Sequence, residues 1–183
     1  MLSDPTPRLA TAADWLRYRE ARLRMLADSP DAFMTTLAQA EAQGEEFWRG
    51  RVGGTFPTWL VTDDTDTAGD AGAVVATGGV FVPEPEGHAP TAHVVAMWTA
   101  AEARGRGLAA RILEVAVDWC REQGLDEDLR LHVTEGNALA RRLYLRHGFS
   151  PTGAWEPLRE GSPLRCEELR LARPDADSGD AEG

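Results

Sequence analysis

From residue 93 to residue 123 the chain passes from an unbroken apolar run, HVVAMWT, through a short connector and the segment RGRGLA at residues 104–109, into an amphipathic stretch. A fully apolar run followed by a turn and a helical period is the pattern of a buried strand feeding a helix that covers it. That unit commits the chain to helices packed on a sheet, a mixed α/β class. In the helical part, expected over 105–123, Leu108, Ile112, Val115, Ala116 and Trp119 share one stripe, and Gly124 ends it.

The junction also makes an anion site. The first-turn amides of a helix lack partners and converge on one spot, where the macrodipole adds roughly half a positive charge. Gly105 and Gly107 let the backbone approach a phosphate, and Arg104 and Arg106 add charge in a chain that is otherwise acidic. Gly105, Gly107 and Ala110 also satisfy the dinucleotide pattern G-x-G-x-x-G/A. Against that reading, the glycines lie several residues past the strand, and the position about 20 residues on is Arg130 rather than an acid.

The rest of the chain supplies the sheet and its other helices. A short strand is expected at 8–10, then a helix opened by Thr11 and Asp14 as a capping box and running to about residue 27. Its inner positions read as Trp15, Leu16, Leu23, Leu26 and Ala27, with Arg17, Arg19, Glu20, Arg22 and Arg24 as the solvated face. Ser29-Pro30-Asp31 breaks it. A second helical region spans 36–51 with Gly44 inside it, a point where it can split in two. Strands follow at 58–62 and 73–82 around an Asp- and Gly-rich loop at 63–72, then a loop at 83–90 and the strand 93–99. After the central helix come a strand at 129–134, a helix capped by Asn137 and running to His147 with Gly148 closing it, and two strands at 149–155 and 164–172.

Length and charge exclude several classes. With 183 residues, 43% of them hydrophobic, the chain can close one core and is short for two, so residues 1–173 are expected to form a single domain. No run of roughly 18 apolar residues occurs and the first ten residues lack a basic-then-apolar pattern, which leads to the expectation of a cytoplasmic protein away from membranes. The net charge of −11, with every basic residue an arginine, argues against nucleic acid and would favour a cationic acceptor. Residues 174–183 are acidic and small, a composition that cannot bury a core, and are expected to be disordered. Cys120 and Cys166 stand alone, so neither a disulfide nor a metal site is expected.

A second motif lies past the strand at 129–134. Asn137, Ala140, Leu143, Tyr144, Gly148 and Phe149 spell N-x-x-A-x-x-L-Y-x-x-x-G-F. Asn137 and Tyr144 are seven residues apart, so they share a helix face and stand about 10.5 Å apart along it. With RGRGLA before it, this motif resembles the GNAT superfamily of N-acetyltransferases, over roughly residues 94–149. The stretches DSPDAF at 28–33 and EEFW at 45–48 look like the first halves of many members.

The resemblance implies a mixed, mostly antiparallel sheet of about six to seven strands flanked by about four helices. It implies that Arg104, Gly105, Arg106, Gly107, Leu108 and Ala109 hold the pyrophosphate of coenzyme A, and that Met97, Trp98 and Thr99 pair with the pantetheine arm. Asn137 matches the family's next coenzyme contact, and Tyr144 the tyrosine near the sulfur. The implied reaction moves an acetyl group from acetyl-CoA to a primary amine, on a small molecule or a peptide, without metal. A phenol with an ordinary pKa of about 10 can hold or supply the proton the leaving sulfur needs, which makes Tyr144 the candidate acid, or else an aromatic that only packs. Where some members carry a basic glutamate, this chain reads Thr91-Ala92-His93, which leaves His93 as first candidate base. Glu84, Glu86, His132 and Glu135 are weaker candidates, Glu135 as support for the Asn137 cap. Residues 28–36 and 155–163, with Trp155, Glu156 and Arg159, would shape the acceptor side. Homodimers are common on such folds. A non-catalytic acyl-CoA-binding module on the same fold, and a partner-binding protein using its acidic surface, are the other classes to weigh.

Overall fold

The computed structural model describes residues 6–54, 56–63, 72–84 and 90–172. The acidic segment 174–183, Glu86 and most of the 63–72 loop lie outside the described residues. Seven strands make one sheet: β1 (Arg8–Leu9), β2 (Thr58–Thr62), β3 (Val74–Phe81), β4 (Ala92–Thr99), β5 (Leu129–Thr134), β6 (Phe149–Pro157) and β7 (Arg165–Leu171). Their spatial order is β1-β2-β3-β4-β5-β7-β6, antiparallel throughout except for β4 beside β5. The helices are α1 (Trp15–Asp28), α2 (Leu37–Glu41), α3 (Glu45–Arg51), α4 (Leu108–Glu122) and α5 (Ala138–Arg146). The expected mixed α/β class and largely antiparallel sheet are present; the described helices number five because Gly44 divides the 36–51 region.

Successive strand residues point to opposite faces, so neighbours on one strand locate the helices. Trp59 on β2 meets Trp119 of α4 with ring centroids 6.4 Å apart. The adjacent Leu60 lies in the cluster holding Tyr18 and Met25 of α1. Thus α1 and α4 cover opposite faces of the sheet.

Two helix faces differ from their sequence reading. On α1 the buried residues are Tyr18, Ala21, Met25 and Leu26, whereas Leu16 is 47% exposed and Ala27 is exposed. Arg8 clamps Asp14 with bonds of 2.9 and 2.6 Å, and Asp14 also accepts from the Thr11 amide at 2.9 Å. This anchor fixes the rotation of the helix that follows and leaves Trp15 and Leu23 at the core's margin. On α4 the buried stripe is Leu108, Ile112, Leu113, Ala116, Val117 and Cys120, with Val115 and Trp119 at its border. The helix starts at Leu108 rather than Gly105 because Gly105 and Gly107 have φ of 78° and 75°, a left-handed backbone that belongs to a loop.

β4 carries the irregularity that matters most. Thr77 pairs with Trp98 and Gly79 with Val95, so Ala96 and Met97 together oppose Gly78. This is a bulge, and Ala96 is the one described non-glycine with positive φ, at 56°. The side chain of Met97 lies over Gly78, where a Cβ would overlap Met97 Sδ and Ile112 Cγ2. On its other side β4 pairs with β5 only through Ala92–Leu129 and His93–Arg130. Past those two rungs the strands part.

Candidate active site

Two adjoining recesses occupy the gap between β4 and β5. The first, about 740 Å³, is lined by Met97, Trp98 and Thr99, by residues 103–105 and 107–110, and by α5 residues that include Asn137 and Tyr144. The second, about 390 Å³, is lined by His93 and residues 94–97 of β4, by His132 on β5, by Arg22 and Arg51, and by Glu156 at the end of β6 and Leu158 just past it. Ala32, Phe33, Met97, Thr134, Asn137, Ala140 and Tyr144 belong to both and form the passage between them.

The first recess has the build of an anion site with a trench attached. Gly107 is the N-cap of α4, no side chain caps that helix, and residues 107–110 line the recess. A Cβ at Gly105 or Gly107 would meet nothing within 4 Å, so the space above the loop is open. Arg104 reaches back to donate to the Thr99 carbonyl at 3.2 Å, fastening the loop to the strand end. Arg106 departs from expectation: it points toward Asp63, 3.9 Å away, and does not line the recess, because the left-handed turn at Gly105 sends the two arginines to different sides. Trp98, which also lines the recess, is buried under Arg24, whose guanidinium lies 5.4 Å from the ring centroid.

Asn137 caps α5 by accepting from the Ala140 amide at 3.2 Å. Tyr144, two turns on, is only 6% exposed and packs edge-on against Phe149 at 6.3 Å. Burial pushes its phenol up to about 12. Glu135 supports no cap. Its carboxylate accepts from the Arg165 amide at 2.8 Å, and its own amide donates to the Arg165 carbonyl at 2.8 Å, which ties the end of β5 to β7.

In the second recess His93 stacks on His132, with centroids 5.9 Å apart and planes within 11°. Burial is the chief cause that lowers the His93 pKa, helped by His132 and Arg130. His132 Nε2 lies 3.2 Å from Glu156 and 3.8 Å from Glu168, and Glu168 also pairs with Arg130. The pair is thus wired through β7 into a charged network. Arg159 donates to the carbonyls of Pro30 and Phe33 at 3.0 and 2.9 Å, so the last hairpin holds the post-α1 turn in place over the passage. Trp155, expected at the rim, instead lies under Arg165 and lines neither recess. Glu84 lines neither.

Cys166 also lines the second recess, 3.7 Å from the Thr134 hydroxyl, and burial raises its pKa; Cys120 is pushed up to about 12 by burial inside α4. Neither is set up as a thiolate nucleophile. Among the described residues no three His, Cys, Asp or Glu side chains come together as a metal site, and no helix is long and apolar enough to cross a membrane.

Sequence reasoning missed Arg22 and Arg51. Arg22 was assigned to a solvated face, yet it stands four residues after Tyr18 and three before Met25, on the stripe that α1 buries. That spacing was the available signal.

Comparisons with known proteins agree with this geometry. Mycothiol acetyltransferase of Beutenbergia cavernae is 32% identical over 141 residues, 77% of this chain and 43% of that protein, so the chain spans less than half the length of this relative. Among solved structures, yncA of Salmonella typhimurium with its cofactor acetyl-CoA superposes with a TM-score of 0.70 at 20% identity, covering 96% of this chain and 100% of that one. The ribosomal-protein-alanine N-acetyltransferase of Brucella melitensis gives 0.66 at 23% identity, covering 89% and 96%. Both likenesses concern the fold. The acetyltransferase (GNAT) family pattern matches residues 18–149, a span that runs from α1 through the parted strands, the glycine loop and Tyr144 to the start of β6; the chain belongs to the GNAT acetyltransferase family.

Proposed function

We propose that this chain transfers an acetyl group from acetyl-CoA to an amine by direct attack, with Tyr144 as general acid. The observation that carries the reading is the passage between the recesses: Tyr144, Met97 and Asn137 wall both, so one phenol borders a donor trench and an acceptor pocket at once. The relative's name and the acetyl-CoA in the Salmonella structure support the same donor.

The residues fit a pyrophosphate and an extended arm. The amides at residues 107–110 and the Arg104 side of the loop would take the phosphates, with Asn137 beyond them and β4 residues 97–99 offering backbone groups along the trench. Bound there, the thioester supplies an activated acetyl group. Met97 and the Ala96 bulge break the strand's alternation and its ladder where that group would lie.

The Tyr144 phenol, held near 12, stays protonated and donates to the departing sulfur. Complete transfer to a thiolate of ordinary pKa of about 8.5 would be uphill by roughly 5 kcal/mol. Tyr144 therefore shares its proton in the transition state, and the proton finally found on the thiol is the one the attacking nitrogen sheds. A neutral His93, held below its usual pKa, would take that proton from the nitrogen, directly or through one water, and pass it on through water to the thiolate, so that the imidazole ends neutral again.

The mycothiol and the ribosomal-protein alanine in the relatives' names are said of those proteins and do not fix the acceptor of this chain. The test is a thiol-release screen with acetyl-CoA over amine classes, repeated with Tyr144→Phe and His93→Ala. Coenzyme binding without release over a broad panel would favour the non-catalytic module, and unchanged turnover in Tyr144→Phe would sink its role as acid.

A further inference from the structure

Two cations line the second recess, and among the described residues neither is paired with a carboxylate. Arg22 of α1 and Arg51 of α3 both line it. Arg22 is half-buried, with its guanidinium 5.2 Å from the Phe33 ring centroid and Nη1 3.7 Å from Met25 Sδ. Other arginines of the fold meet carboxylates: Arg8 with Asp14, Arg24 with Glu102, Arg130 with Asp128 and Arg141 with Glu167. Neither Arg22 nor Arg51 does so among the described residues. The acid that faces this recess, Glu156, is directed at His132. Burial first, and the nearby charge of Arg51 as well, disfavour the charged form of Arg22. A desolvated cation with a like charge beside it and no counter-ion is costly, and a guanidinium fork is the group that recognises carboxylates in two-point geometry.

We infer that the acceptor is an amine bearing a carboxylate on a short apolar body, that is, a free amino acid, with its carboxylate seated on Arg22 and Arg51 and its amine toward Tyr144. The inference rests on the acetyltransferase reading above and names its second substrate class. Phe33, Met34, Phe81 and Leu158 supply apolar wall beside the polar His93, His132 and Glu156, and the volume of about 390 Å³ suits a small ligand. The net charge of −11 pointed to a cationic acceptor, whereas the two arginines bring positive charge into the recess itself.

The experiment compares L-leucine, L-phenylalanine and L-glutamate with their α-carboxamides, and spermidine with all of them, in thiol release at saturating acetyl-CoA. The amine of an amino acid amide is less basic and intrinsically readier to react, so a preference for the acid cannot come from the amine. The expected kcat/KM ratio of acid to amide is on the order of thirtyfold or more for at least one side chain. That ratio should fall to about threefold or less in Arg22→Gln and in Arg51→Gln, through KM, and recover in part in Arg22→Lys.

A parallel calorimetric titration of the coenzyme A-saturated protein uses N-acetyl-L-phenylalanine, which has the carboxylate and cannot react. It should bind wild type about tenfold or more tightly than Arg22→Gln. The melting temperature of Arg22→Gln should equal or exceed that of wild type, since an unbalanced charge is removed; a marked fall would make Arg22 structural and overturn the inference. Amides or spermidine used as well as the acids would overturn it and leave the transferase reading standing. No thiol release from any amine, with carboxylate binding that still depends on Arg22, would support the anion seat and sink the transferase reading. Equal binding to wild type and Arg22→Gln would overturn the inference whatever the turnover.

Discussion

Burial keeps the Tyr144 hydroxyl protonated to about pH 12, so within the working range it acts only as a donor. In the proposed reaction Tyr144→Phe should therefore lower kcat by about a hundredfold while leaving the Kd for acetyl-CoA within about twofold, measured by thiol release and by calorimetry. The imidazole of His93 behaves in the opposite sense. Its depressed pKa means that it accepts protons above a point lying below the ordinary 6.5, so the acid limb of kcat/KM should fall below that value. Removing the neighbouring positive contribution with His132→Asn should move the limb upward, because His132 is one of the causes that depress it. A limb that stays put would show that His93 is not the group being titrated. Asn137 and Tyr144 were legible because a two-turn spacing on one helix survives any error in tertiary placement. Arg22 was not, because the character of an arginine does not reveal whether it is turned to water or stacked on Phe33.

At the scale of elements, capping and breaking residues did most of the reading. Asn137 at the start of α5, Gly124 after α4 and Gly148 before β6 act locally, and each stands where the pattern put it, both glycines with positive φ. β2 and β5 match their sequence bounds because charged or turn-forming segments flank short apolar runs. The bulge in β4 was hidden. A positive φ at alanine leaves no trace in an apolar run, and the bulge goes with the packing of Met97 over Gly78, a contact between strands. The inner face of α1 was misplaced for a similar reason, since its rotation is set by a contact with another element. That contact gives a testable quantity. Arg8, first among the causes, holds the Asp14 carboxylate well below the usual range, aided by the Thr11 amide and hydroxyl, while burial works the other way. A depressed carboxylate stabilises the fold above its unfolded pKa of about 3.9 and loses that contribution as pH falls toward the folded value. Asp14→Ala should cost about 1–3 kcal/mol at pH 7 in urea melts, and the gap from wild type should narrow at pH 3.

Across the whole molecule, the sheet is continuous in order yet nearly cut in two, because β4 and β5 share only two rungs. The β6–β7 ladder, by contrast, pairs six residues. Hydrogen exchange should register the difference. In the protein alone, amides of residues 94–99 that face β5 should exchange quickly, and acetyl-CoA should slow them by about tenfold or more without changing β6 and β7. Equal protection before and after would mean that no ligand backbone lies along β4.

The parting of these two strands has a further consequence. Sheets normally present unpaired peptide groups only at their outermost strands, where a second chain can add to them and begin aggregation. Here two central strands are given the same unpaired character in a slot flanked by α4, α5 and the turn after α1. The molecule therefore keeps an adhesive edge inside its sheet rather than at its border, and in the proposed reaction a slender arm with amide groups of its own would lie along it.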